Sequence, residues 1–287
     1  MSRIVFLNGS FLPIEEANVP FMDRGFLFGD GVYEGIGVLN GHLIDNEAHL
    51  ERLERSLGEI RIPNPYTRAE WTRIEEDLVR RNNMTEGFVY FQVTRGVAER
   101  DFFFPTDAKP TVAMFTQAKA IANAPIAETG IAVATVPDMR WERRDIKSIN
   151  LLAQVLAKQA AKEAGAQEAW MVQDGFVTEG GSSSAFIVTK AGSIVVRPLS
   201  NAILPGITRK SLLQLSREDG IPLEERLFTV EEAYEAAEAF LTSASNFVVP
   251  VVTIDGRPVG DGKPGRVTRR LRQLYLEMAT APAMAAE

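Results

Sequence analysis

The sequence predicts a two-domain α+β protein. Its 287 residues can bury more core than one modest domain needs. Strand-like and helix-like runs are mixed in both halves without a regular β-α-β alternation, which argues against a doubly wound sheet. An aperiodic, Pro-ended stretch, Ala118-Lys119-Ala120-Ile121-Ala122-Asn123-Ala124-Pro125, divides the halves. We therefore expect domains over 1–117 and 126–287, joined by a linker at 118–125.

In the first half, Ile4 to Leu7 reads as a strand entering an Asn8-Gly9 turn, and Val32 to Leu39, Phe88 to Thr94 and Thr111 to Gln117 read as further strands. Two amphipathic helices fall between them. Asn46 to Glu59 has apolar residues at helical spacing, and Arg68 to Asn82 opens with the capping box Thr67-Arg68-Ala69-Glu70. In the second half, Leu151, Leu152, Val155, Leu156, Ala160 and Ala164 recur at helical spacing before Gly165, with Asn150 or Ser148 as cap. Ala169 to Gln173 and Phe176 to Thr178 flank Asp174-Gly175, a type I′ hairpin signal. Strands Ala185 to Thr189 and Ser193 to Arg197 follow, then helices at Ile207 to Asp219, Glu231 to Ala237 and Arg266 to Ala279. The Ala-rich end, Thr280 to Glu287, is the one segment expected to be disordered.

Composition narrows the chemistry. A formal charge of -7 argues against nucleic acid as the main partner but leaves anionic small molecules open. The absence of cysteine removes disulfides, thiolate metal sites and thiol nucleophiles, and two histidines, His42 and His49, are too few for a histidine-rich metal centre. No metal site is expected. No apolar run is long enough for a bilayer and the N-terminus lacks a signal-peptide pattern, so no membrane partner is expected and the cytosol is the expected location.

Three features suggest where chemistry resides. Lys147, in Arg144-Asp145-Ile146-Lys147-Ser148-Ile149-Asn150-Leu151-Leu152, lies just ahead of the predicted helix. An amine attacks a carbonyl only when neutral, and burial or the positive end of a helix favours that form over the ammonium of an exposed lysine. Glu179, in Thr178-Glu179-Gly180-Gly181, follows the hairpin, where a strand end aims a side chain rigidly. Leu204-Pro205-Gly206-Ile207-Thr208-Arg209 opens a helix whose first N–H groups can hold a phosphate. Arg52 is a second phosphate candidate through its guanidinium fork, and Thr242-Ser243-Ala244-Ser245 can add hydroxyls. Taken singly, each also fits an ordinary role: a solvated lysine, a turn carboxylate, a helix-surface arginine, a loop. Together they match what pyridoxal 5'-phosphate requires, namely a lysine for its aldehyde, a carboxylate for its ring nitrogen and a cradle for its phosphate.

In this order the pieces resemble the class IV, fold-type IV pyridoxal-phosphate aminotransferases, and among them the D-amino acid aminotransferases. The likeness runs through Phe28 to Glu34, His49 to Leu53, Tyr90 to Gly96, Asp145 to Leu152, Thr178 to Gly180 and Gly206 to Arg209. It implies Lys147 as the Schiff-base lysine, Glu179 as partner of the pyridine nitrogen, and Arg52, Ile207, Thr208 and Ser243, with Ala244 beside it, at the phosphate. It also implies a small N-terminal α/β domain, a larger C-terminal domain with a barrel-like sheet, and a homodimer. The implied reaction is transamination between a D-amino acid donor and a 2-oxo acid acceptor such as 2-oxoglutarate.

Departures from the pattern bear on substrate. Tyr33 and Arg100 match residues that hold the substrate carboxylate in similar enzymes, whereas Phe102 stands at their histidine position. The stretch Tyr33-Glu34-Gly35-Ile36-Gly37 carries the Glu-Gly-Ile pattern of branched-chain aminotransferases with Gly37 in place of an arginine. Gly35 and Gly37 would widen the pocket wall, as in related (R)-selective amine transaminases. Ala244 and Ser184 stand where threonine and asparagine are more frequent, which implies fewer phosphate donors. A lyase acting on aminodeoxychorismate shares the fold and would need no 2-oxo acid acceptor, and a non-enzymatic vitamer-binding or scaffold role would leave the lysine unreactive toward amines.

Overall fold

The computed structural model describes residues 2–281. The chain forms two compact units, one from the chain up to Ala120 together with Ile146–Leu151, the other from Ile121–Asp145 and the chain from Leu152 onward. The expected disorder of the Ala-rich end falls, from residue 282 on, outside the described residues. Thr280 itself closes the last helix.

The first unit contains strands β1 (Ile4–Leu7), β2 (Ser10–Pro13), β3 (Gly31–Leu39), β4 (His42–Leu43), β5 (Glu86–Thr94) and β6 (Thr111–Ala118), with helices α1 (Arg24–Phe28), α2 (Asn46–Glu59) and α3 (Arg68–Arg81). The strands form one antiparallel sheet in the order β2-β1-β6-β5-β3-β4. Leu50, Leu53 and Leu57 of α2 and Trp71, Ile74 and Leu78 of α3 pack with Val32, Ile36, Val89, Phe91 and Val93 in a continuous core. The expected capping box holds: Thr67 and Glu70 satisfy each other's backbone N–H groups at the start of α3. Asn8 and Gly9, at φ 47° and 94°, make the tight β1–β2 turn that their sequence announces.

One segment of this unit departs from expectation. Ile146–Leu151 is not the start of a helix, and neither Ser148 nor Asn150 is its cap. Ser148 bridges Val32 in antiparallel fashion, the Tyr33 N–H donates to the Lys147 carbonyl at 2.9 Å, and the Ile149 N–H donates to the Gly31 carbonyl at 3.1 Å. The Asn150 amide donates to the Gly29 carbonyl at 3.2 Å. Backbone groups committed to β3 cannot also form the first turn of a helix.

The second unit contains α4 (Pro125–Thr129), β7 (Ile131–Pro137), α5 (Leu152–Glu163), β8 (Glu168–Gln173), β9 (Phe176–Gly180), β10 (Ser184–Val188), β11 (Ile194–Val196), α6 (Ile207–Glu218), β12 (Leu223–Glu225), α7 (Val230–Tyr234), β13 (Glu238–Ser243), β14 (Phe247–Ile254), β15 (Arg257–Pro258) and α8 (Arg266–Thr280). Its nine-stranded sheet runs β12-β11-β10-β13-β14-β7-β8-β9, with β15 on β14. The sheet curls into a half-barrel, because β9 turns through Gly180–Ser183 directly into β10, the Gly180 N–H donating to the Ser183 carbonyl at 2.7 Å. Asp174 and Gly175, at φ 54° and 80°, form the predicted β8–β9 turn. Helix α7 is shorter than expected because Ala237 already pairs with Val188 of the sheet.

Helix α5 presents the other face to its sheet. Leu152, Val155 and Leu156 are exposed, whereas Ala157 and Ala161 are buried against Ala134, Ala169 and Met171. Alanine lets a helix lie close on a sheet, so the small residues face inward and the larger aliphatics are left outside. Among the described residues no helix is long and apolar enough to cross a membrane.

Candidate active site

In the first unit the site is built on β3. Its alternation leaves Tyr33 and Gly35 partly exposed on one face and turns Glu34 and Ile36 into the core. Lys147 sits beside the exposed face, its Nζ 4.2 Å from the centre of the Tyr33 ring, and Tyr33 stacks on Tyr90 at 5.5 Å. The Lys147 N–H donates to Ser56 Oγ of α2 at 3.4 Å, so strand and helix together fix its backbone.

On the opposite face Glu34 is fully buried and paired. Arg52 Nε and Nη2 donate to the two Glu34 carboxylate oxygens at 2.8 and 2.7 Å, and His49 Nδ1 lies 2.8 Å from Oε2. Burial alone would raise the Glu34 carboxyl, but the Arg52 charge and fork, helped by His49, hold it down at about 2. Burial depresses His49 despite the neighbouring carboxylate. Arg52 is thus no surface arginine, and His49 is packed beside it against Glu34.

The second unit holds a separate polar cluster around Glu179, at the end of β9. Glu179 is buried, accepts from the Leu204 N–H at 3.2 Å and pairs with the Arg140 guanidinium. Arg140 is also bound by Asp138 at 2.7 Å, and Thr178 Oγ1 donates to the same Asp138 carboxylate at 2.7 Å. Burial opposes the charge on Arg140, yet Asp138 and Glu179 outweigh it and hold the guanidinium more firmly protonated. Arg140 and Asp138 were not singled out by sequence, since both lie in a loop without a motif.

Leu204 leads into Gly206, the N-cap of α6, which makes no side-chain cap, and no acidic residue occupies the first turn. The first N–H groups of α6 therefore have no intrahelical partner. A Cβ at Gly206 would stand 2.8 Å from Ser184 Oγ, so glycine is what permits this close approach. Ser184 pairs in register with Thr242 of β13, whose buried hydroxyl has no partner, and Ser243 and Ala244 follow it. A buried carboxylate, a bare helix N-terminus and an unpartnered hydroxyl within one unit fit a ring nitrogen and a phosphate. Thr208 is buried in the first turn of α6, and Ser243 Oγ accepts from the Asn246 amide at 3.3 Å.

Arg100 is exposed, with its guanidinium over the rings of Phe28 and Phe102 at 5.2 and 5.5 Å. Phe102 thus presents an aromatic face to the arginine. A Cβ at Gly35 would meet nothing within 4 Å, so this wall of β3 is open. Gly37 is buried in the same strand. Glu34 and Ile36, which carry the Glu-Gly-Ile likeness, are in the core and act on packing.

A half-barrel sheet carrying a buried carboxylate and a bare helix N-terminus is compatible with a cofactor-dependent transferase. The chain belongs to the class IV aminotransferases, whose sequence pattern matches residues 31–254, and it is an aminotransferase of fold type IV. It is 44% identical over 270 residues to a D-alanine aminotransferase of Staphylococcus haemolyticus, covering 94% of this chain and 95% of that one. The branched-chain amino acid aminotransferase of Escherichia coli has the same fold at a TM-score of 0.90 and 26% identity, covering 98% of this chain and 95% of the other. The branched-chain amino acid aminotransferase of Thermobaculum terrenum in its PLP-bound holo form superposes at a TM-score of 0.84, with 27% identity and 97% and 94% coverage.

Because Glu34 anchors both His49 and Arg52, Glu34→Gln should lower unfolding free energy by about 3–5 kcal/mol at neutral pH. A carboxyl held near 2 stabilises the fold above its ordinary value of 4.5 and loses that contribution as pH falls. Urea unfolding should therefore show the difference between wild type and Glu34→Gln shrinking with acidification, and a constant difference would contradict this origin.

Proposed function

We propose that this chain transaminates D-amino acids, D-alanine among them, using pyridoxal 5'-phosphate and a 2-oxo acid acceptor such as 2-oxoglutarate. The geometric observation that carries the reading is the pairing, in one unit, of a buried Glu179 with the uncapped N-terminus of α6 through Leu204. The D-amino acid assignment is supported by the identity to the D-alanine aminotransferases. Pyridoxal phosphate supplies, when bound, an aldehyde that condenses with amines and a ring that draws electrons from the substrate α-carbon.

The chain's own residues do the rest. Glu179, fixed by Arg140 and Leu204, accepts a hydrogen bond from the ring nitrogen. Ile207, Thr208 and Ser243, beside Ala244, hold the phosphate through α6 N–H groups and hydroxyls, and Arg52 adds a guanidinium oriented by Glu34. Lys147 Nζ would hold the cofactor through its aldehyde; once displaced by the substrate amine, it would take the proton from the substrate Cα as base and deliver it, as acid, to the former aldehyde carbon. Tyr33 and Arg100 orient the substrate carboxylate, Phe102 steadies Arg100, and Gly35 and Gly37 leave room for the side chain. The enzyme acts as a cytosolic homodimer, supported by the exposed Leu152, Val155 and Leu156 face of α5; sedimentation at twice 31.6 kDa checks this.

D-alanine with 2-oxoglutarate should yield pyruvate and D-glutamate, and Lys147→Ala should lower turnover by roughly 10²–10⁴-fold or more. Turnover of L-leucine alone, pyruvate formed without an acceptor, or near-native activity of Lys147→Ala would each contradict the proposal. Arg100→Ala should raise KM for amino acids by about tenfold, equivalent to ~1.4 kcal/mol, and leave amines lacking a carboxylate unaffected. Equal losses for both substrate classes would remove Arg100 from carboxylate binding.

A further inference from the structure

Glu75, on α3, is fully buried in the first unit, and neither of its carboxyl oxygens has a hydrogen-bond partner. The buried Oδ1 of Asn46, on α2, is likewise without one. Asn46 meets α3 at Thr72, three residues before Glu75 and so on the same side of that helix. Two acceptors cannot satisfy one another, and each buried orphan costs about 1–3 kcal/mol. The Asn46 amide nitrogen is already engaged, donating to Thr72 Oγ1 at 3.1 Å. A single proton on Glu75 removes a buried negative charge that no hydrogen bond compensates.

The charges acting on Glu75 point the same way. They come from Glu34 on β3 and Glu76 on its own helix, and both are negative. Burial is the main influence, Asn46 opposes it, and with the two glutamates adding to burial the Glu75 carboxyl is pushed up to about 8. Glu34 in turn is the carboxylate that clamps Arg52 and His49. We propose that Glu75 is a positioning residue carried as a neutral carboxylic acid, so that Glu34 alone charges the buried junction of α2, α3 and β3 and stays clamped on Arg52. Ionisation releases the Glu75 proton to solvent and sets a second buried negative charge against Glu34, which disfavours the ionised form of Glu34 that clamps Arg52. The consequence for phosphate binding rests on the role proposed above for Arg52.

The sign follows from linkage. A carboxyl raised from 4.5 to about 8 stabilises the folded state at low pH and loses that contribution as pH rises toward about 8. Thermal unfolding of the holoprotein from about pH 5 to about pH 9.5 should show Glu75→Gln gaining on wild type as pH rises, with the gain levelling above about 8. Infrared spectra of wild type at neutral pH should contain the carbonyl stretch of a buried protonated carboxyl, absent from Glu75→Gln. Parallel pH profiles, or no such band in wild type, would overturn the proposal, and the band decides it even where the variant fails to fold. Between neutral and high pH the dissociation constant for pyridoxal phosphate should rise about tenfold more in wild type than in Glu75→Gln, a difference of ~1.4 kcal/mol. Diverging stability with parallel cofactor affinities would overturn the positioning role. No cofactor binding at neutral pH in either protein would instead refute the function proposed for the chain.

Discussion

The antiparallel pairing of Ile146–Leu151 with β3 is the constraint on which the chemistry of the first unit depends. It takes a short extended segment out of a chain otherwise committed to the second unit and ties it to the first through Lys147, Ser148 and Ile149. Once the Lys147 carbonyl accepts from Tyr33, the lysine side chain falls beside the Tyr33 ring on the partly exposed face of the strand. The opposite face of the same strand must then bury Glu34, and a buried carboxylate persists only with a partner. Arg52 and His49 meet that need, so one strand has the Lys147 amine on one side and a buried ion cluster on the other.

The second unit solves a similar problem at the rim of its half-barrel. The turn from β9 into β10 brings Glu179 to the rim, and Leu204 links it to α6. Asp138 and Arg140 surround the carboxylate with a fixed set of charges. Gly206 then allows α6 to begin beside Ser184 without a side chain over its N-terminus. In each unit a buried charge is compensated by a rigid fork from arginine, a geometry that lysine cannot reproduce.

Much of the fold was legible in the sequence because its signals were local. The limits of α2, the capping box of α3, and the Asn8-Gly9 and Asp174-Gly175 turns each depend on a few adjacent residues and appear where the pattern puts them. What was hidden depends on long-range packing. A helical period cannot tell which of two adjacent apolar faces of α5 will be buried, and close packing on the sheet selected alanine over leucine. The start of α5 was misplaced because Ser148 and Asn150 are good caps whose backbone a distant strand had already claimed. No local pattern marks Glu34 for burial, which the distant Arg52 makes possible by pairing with its carboxylate. Glu179 was legible from its place after a hairpin, whereas its partners Arg140 and Asp138 come from a loop with no pattern to announce them.

The central claim is that Lys147 is the residue that binds the cofactor. It is tested most directly by borohydride reduction of the holoprotein, proteolysis and mass spectrometry of the peptides. The account predicts the added mass of the reduced cofactor on the peptide containing Lys147. The same mass on a peptide bearing another lysine, such as Lys158 or Lys210, or on none, would contradict it.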